Sequence, residues 1–249
     1  MIKNLTILVC LTIFNFSVFA ETATVVNKSN TQQVYELQYI EREPGIDDYE
    51  LTMLVSDRYV RVDDLSENSG FILYDDKTKT IYSVAHHDKS ILVINENVFK
   101  DTDAPVRSKV EYLQITDAPK VAGKDVFNYR VFVEEQGEES TCLEVQLVED
   151  LLPDIVALLK NYQTVISGQQ VMMTDNQVSD VQTACFFVDQ IYNKGLYYDK
   201  GLPIQEWHSN ERSKILSSYK KIEVANDKFL IPSDYKQFSI NKDSKTFIK

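Results

Sequence analysis

Between Tyr49 and Ile94 the sequence reads as one continuous antiparallel meander, and no other stretch restricts the fold as tightly. Tyr49, Leu51, Met53 and Val55 alternate with Glu50, Thr52 and Leu54, Ser56-Asp57-Arg58 turns the chain, and Tyr59-Val60-Arg61-Val62 brings it back. Phe71 to Tyr74, Thr80 to Val84 and Ile91 to Ile94 follow, separated by Asp75-Asp76-Lys77-Thr78 and His87-Asp88-Lys89. Short β-branched and aromatic runs divided by polar turn residues are what a hairpin-connected sheet requires. With only 7 glycines in 249 residues, Asp, Asn, Lys and Ser must form many of the turns.

Strands continue on either side. Val34 to Ile40 precedes the meander, with Tyr35, Leu37 and Tyr39 on one face. Val110 to Ile115, Phe127 to Val133 and Thr141 to Val148 follow it. The period then changes. Leu151, Ile155, Leu158, Leu159, Tyr162, Val165 and Ile166 share one face of a helix, with Asp150 as N-cap, Pro153 in the first turn and Gly168 as the stop. A second helix is expected over Asn176 to Tyr192, so the helical insertion spans about 150–192. Strands return at Ile204 to His208 and Lys214 to Val224, and Pro232 excludes an ordinary central strand near the end. Two amphipathic helices between blocks of strands need an apolar surface, and the curved inner face of the sheet supplies it. The expected class is α+β, mainly antiparallel β, with a single domain over residues 33–240.

The first twenty residues read as an export signal: Lys3, an apolar run from Leu5 to Phe19, and small residues at Val18 and Ala20, with cleavage after Ala20. Residues 21–32 read as a flexible leader and 241–249 as a flexible tail. Removing the signal moves the formal charge from −12 to −13. That acidic excess argues against nucleic acid and anionic membrane surfaces as principal partners. Beyond the signal no apolar run is long enough to span a bilayer, so no stable membrane insertion is expected of the periplasmic or secreted product. Cys142 and Cys185 then remain, and an even count in an exported chain suggests a disulfide, with two separate thiols as the other reading. Alternation places Cys142 on the strand face opposite Leu143, Val145 and Leu147, so a bond would tie the second helix to the back of that strand.

No catalytic signature appears: no Gly-x-Ser-x-Gly, phosphate-cradling glycine loop, Cys-x-x-Cys or His-Glu-x-x-His. His86 and His87 are adjacent in a hairpin and point to opposite faces, which disfavours a shared metal, and both read as exposed turn residues. His208 reads as structural. Asp47-Asp48, Asp63-Asp64 and Asp75-Asp76 lack the spacing and glycine of a calcium loop and read as turn carboxylates. Neither metal nor cofactor is expected. The informative excess is aromatic, 14 Tyr and 12 Phe concentrated in strands. One reading is an ordinary core. The other is the wall of a cavity for a lipid-like ligand, formed by Tyr35, Leu37, Tyr39, Tyr49, Leu51, Met53, Phe127, Tyr129, Leu158 and Tyr162.

The segments Gly201-Leu-Pro-Ile-Gln-Glu-Trp207 and Phe229-x-Ile231-Pro232-x-x-Tyr235, together with the long sheet and helical insertion, resemble the bacterial periplasmic lipoprotein-carrier superfamily, and especially uncharacterised families of that fold. The resemblance implies a strongly curved, incomplete β-barrel whose concave face is covered by helices, with an apolar hollow able to hold an acyl chain. It implies a non-enzymatic envelope protein whose partner is a hydrophobic ligand or a lipoprotein. An envelope-stress sensor or accessory subunit that binds another protein is the alternative, and an enzyme is the third reading.

Overall fold

β1 (Thr31–Arg42) lies in the middle of the sheet, and two meanders meet on it. This computed structural model describes residues 30–64, 70–100, 104–135, 137–174 and 182–239. The expected signal, most of the leader and the tail lie outside the described residues. From β1 the chain walks outward through β2 (Tyr49–Val55), β3 (Tyr59–Asp64), β4 (Gly70–Asp75), β5 (Thr80–Ala85) and β6 (Ser90–Asn95), each antiparallel to the last. It then crosses to the opposite edge and walks back in. β7 (Ser108–Gln114), β8 (Val126–Glu135), β9 (Glu138–Val148), β10 (Leu202–His208) and β11 (Ser213–Ala225) end beside β1. β12 (Lys236–Ser239) adds the sheet's parallel pair, on the outer edge of β6. Among the described residues the result is one 12-stranded sheet that does not close into a barrel.

Strand period decides which residues face the helices. Leu37 and Tyr39 of β1, Met53 and Val55 of β2, Val60 and Val62 of β3, and Tyr74 of β4 form one core with Ile155, Leu158, Leu159 and Val165. Those four belong to α1 (Pro153–Thr174). Tyr129, Val131, Leu143, Val145 and Leu147 form a second core on the same side with Ala184 and Val188. Ala184 opens α2 (Ala184–Phe186), which Thr183 caps by accepting the Phe186 N–H, and which continues as π-helical turns over Phe187–Tyr192. The expected start of that helix, 176–181, lies outside the described residues.

The alternate residues of the first meander are buried too. Val34, Leu54, Phe71, Leu73, Val84 and Ile91 pack on the other face around Phe229, with Tyr59 and Tyr82 beside them, so the tyrosines divide between two faces. This is why Phe71 to Tyr74 is apolar without a break: a strand covered on both sides has no solvent phase. The cover is the C-terminal segment. Asn226–Phe229 forms a 3₁₀ turn, Phe229 stacks on Tyr59 at 5.4 Å, Arg61 Nη1 donates to the Lys228 carbonyl, and Tyr235 meets His86 Nδ1 at 2.9 Å. His86, read from sequence as an exposed turn residue, therefore anchors this strap.

α1 differs from expectation at both ends. Asp150 has φ of 56° and the helix starts at Pro153, so Asp150 is a turn residue rather than the cap. Gly168 does not stop it. The β6–β7 connection crosses α1 there: Asn97 Nδ2 donates to the Gly168 carbonyl at 3.0 Å, and a Cβ on Gly168 would stand 2.6 Å from the Asn97 carbonyl oxygen. The glycine is required by close approach, not by helix termination. Gly168→Ala should destabilise the protein by about 1–2 kcal/mol, because overpacking of about 1–3 kcal/mol exceeds the gain of about 1 kcal/mol in helix propensity. Urea titration of the variant checks this, and a stability equal to or above wild type contradicts the contact.

Cys142 and Cys185 form a disulfide across 43 residues. It lies on the helix-covered side, not the back of the strand. Val131 pairs with Leu143 and Phe132 with Thr141, so Cys142 is the extra residue of a β-bulge. The bulge breaks the alternation and turns Cys142 inward, fully buried beside Leu143. Among the described residues no helix is long and apolar enough to cross a membrane.

Candidate functional site

A cavity of about 380 Å³ lies between the helices and the sheet. One wall is apolar: Leu51 and Met53 of β2, Val62 of β3 and Ile72 of β4, faced by Tyr162 and Ile166 of α1. The adjoining part of the lining is charged and carries Glu41, Asp189, Glu206, His208, Arg212 and Lys214.

The charged wall is built by strand register. Glu206 of β10 pairs with Lys214 of β11, which pairs with Glu41 of β1, so three charged side chains form one row across three strands. Glu206 also lies opposite Val145, a residue of the helix-side core, which fixes its direction. Two residues on, His208 points the same way. Asp189 comes from the π-helical turns, a backbone form that recurs at functional sites.

These groups are buried and mutually bonded. His208 Nδ1 meets Asp189 Oδ2 at 2.7 Å, and the side chains are 13 % and 6 % exposed. His208 Nε2 stands 3.9 Å from Glu206 Oε2, which accepts the Tyr197 hydroxyl at 3.1 Å. Burial pulls the His208 imidazole down, but the hydrogen bond and charge of Asp189 and the charge of Glu206 outweigh it, and its pKa is raised above 6.5. Burial first, then the charge of Glu206, raises the hydroxyls of Tyr39, Tyr197 and Tyr198, so all three remain neutral. At the outer end the Tyr49 hydroxyl, with one proton to donate, stands 2.9 Å from Glu41 Oε2 and 2.8 Å from Glu43 Oε1 and is shared between them. Lys214 Nζ lies 3.5 Å from Glu41 and 4.4 Å above the Tyr39 ring, and Arg212 Nε lies 3.9 Å from Glu43.

Of the ten residues named from sequence, Tyr49, Leu51, Met53 and Tyr162 line the cavity. Leu37, Tyr39 and Leu158 are buried in the first core, with Tyr35 packed against its margin. Phe127 and Tyr129 belong to the second core, where Phe127 stacks on Tyr112 at 5.2 Å and Tyr129 meets Tyr197 edge-on. Sequence reasoning misses the charged wall, since its residues come from β1, the π-helical turns, β10, β11 and the turn between these last two. The available signal is phase: Glu206 and His208 alternate with Gln205 and Trp207, and only the first pair points inward. Among the described residues no cluster of three or more His, Cys, Asp or Glu is arranged to hold a metal ion. The acidic pairs have separate engagements: Asp48 with Arg42, Asp63 with Arg61, Asp75 with Arg58, and Asp76 with Lys79, Tyr74 and Asn161 of α1.

No known protein family and no curated protein matches this sequence. Among solved structures, an uncharacterized conserved protein from Thermus thermophilus is similar over 83 % of this chain and 90 % of that one, with a TM-score of 0.41 and 8 % identity. A structure of PNGF-II is similar over 84 % of this chain but 31 % of that one, with a TM-score of 0.39 and 12 % identity. Likenesses this distant place the chain in no family.

Proposed function

We propose that this protein is an exported, non-enzymatic binding protein whose cavity takes up a hydrophobic ligand, such as an acyl chain. The carrying observation is the cavity of about 380 Å³, lined in part by Leu51, Met53, Val62, Ile72 and Ile166. Its volume lies in the range of about 300–1,000 Å³ typical of small-ligand sites, and its pairing of an apolar wall with a charged one suits a ligand that is itself amphipathic. In this reading the open sheet bends around α1 and the π-helical turns, as in the lipoprotein-carrier superfamily that the C-terminal segments resemble, and the space between is kept for ligand. The disulfide suits an oxidising compartment. The hydrogen bonds that hold Asp189, His208 and Glu206 in place suit a preformed site.

A fluorescent fatty acid titrated into the purified protein should bind saturably at one-to-one stoichiometry. Ile72→Trp, which fills the apolar wall, should weaken uptake by about tenfold, the order expected when a well-packed ligand is displaced. Absence of saturable uptake by the folded wild type removes this reading.

A further inference from the structure

The charged wall contains three carboxylates and three basic groups, yet the two sets are not equally engaged. Each carboxylate has a short contact with a donor of the protein itself: Asp189 with His208 and with Gln190 at 2.7 Å, Glu206 with the Tyr197 hydroxyl at 3.1 Å, and Glu41 with the Tyr49 hydroxyl at 2.9 Å, which it shares with Glu43. Arg212 and Lys214 are held more loosely. Arg212 is 3.9 Å from its nearest carboxylate partner and Lys214 is 3.5 Å from its own, at or beyond the limit of a hydrogen bond. Their side chains are 39 % and 20 % exposed, against 6 % for Asp189 and 8 % for Glu206, so the cations stand at the wetter end of the wall. A guanidinium and an ammonium with free N–H directions can take an anion in charge-assisted bonds, whereas the carboxylates have used lone pairs on internal donors.

We propose that the ligand is a single-chain anionic amphiphile, its carboxylate or phosphate head on Arg212 and Lys214 and its chain along Leu51, Met53, Val62 and Ile72. This rests on the uptake reading above and adds the chemistry of the head. The net charge of −12 acts mostly from beyond about 8 Å, where it is largely screened at physiological salt, whereas Glu41 and Glu43, 3.5 Å from Lys214 and 3.9 Å from Arg212, compete with the head directly, so it must displace these loose contacts to reach the cations. His208 lies deeper on the same wall. The groups that face it are Asp189, Glu206 and Arg212, and with Nδ1 committed to Asp189 it leaves the head to the two outer cations.

The test compares four ligands of equal chain length by calorimetry: laurate, dodecyl phosphate, 1-dodecanol and dodecyltrimethylammonium. Laurate or dodecyl phosphate should bind about tenfold tighter than the alcohol and the cation, and the tighter of the two identifies the head. In Arg212→Gln/Lys214→Gln the ratio of anion to alcohol affinity should collapse towards one, and each single variant should lie between. The proposal is overturned if alcohol or cation binds as tightly as the anions, or if the double variant keeps the anion preference; both results leave the cavity as a ligand site. Failure of all four to bind removes the uptake reading as well.

Discussion

Replacing Cys142 and Cys185 together by serine should cost about 4 kcal/mol of folding stability, the chain-entropy value for a loop of 43 residues. Cys142 is fully buried at a bulge in β9, so the serine pair also places two hydroxyls among Leu143, Val145 and Val188. The bond does more than close a loop. It fixes α2, and the π-helical turns that continue from it carry Asp189, the partner of His208. Reduction should therefore loosen the charged wall before the sheet melts. Urea unfolding of wild type, reduced wild type and the double variant measures the effect. A loss below about 1 kcal/mol in both reduced protein and variant would show that the bond constrains little.

The second large effect concerns Asp189. Its carboxylate is almost fully buried, and Asp189→Ala leaves His208 without the contact that favours its charged form. Below about pH 6 this should cost about 3 kcal/mol, the low end for breaking a buried pair. The sign with pH follows from the raised imidazole. In wild type the contribution of His208 is fully present below its unfolded value of 6.5 and is lost as pH rises through the higher folded value. Wild-type stability should thus fall with pH across that window, while the variant, in which burial opposes the imidazolium and only the charge of Glu206 still favours it, should fall less steeply or not at all. Unfolding free energies between about pH 5.5 and about pH 8.5 read this directly. Parallel profiles for the two proteins would show that Asp189 does not hold the His208 charge.

Much of the sheet is legible in the sequence because hairpins are local. The meander from Tyr49 to Ile94 appears as β2 to β6 in the expected order, since each pairing is set by adjacent runs and the turn between them. The helix carrying Ile155 to Ile166 is legible for a related reason, its six apolar residues sharing one phase. Its end is not, because Gly168 has the same appearance whether it stops a helix or lies under Asn97. Simple alternation puts Cys142 on the wrong face because a β-bulge leaves no mark on the residues that form it. The strap over Phe71 and Leu73 is equally hidden, although the unbroken apolar run of β4 is its trace.

The sequence by itself determined most of the strands, the helix phase and the hairpin pairings from β2 to β6, because those depend on residues a few positions apart. Only the tertiary structure decided the charged wall. Glu41 and Lys214 are 173 positions apart in sequence, and they become neighbours because β11 returns to pair with β1. Asp189 reaches His208 only when the π-helical turns pack on β9. Register between distant strands is selected by the burial of whole faces, a property of the assembled sheet that no short stretch of chain carries.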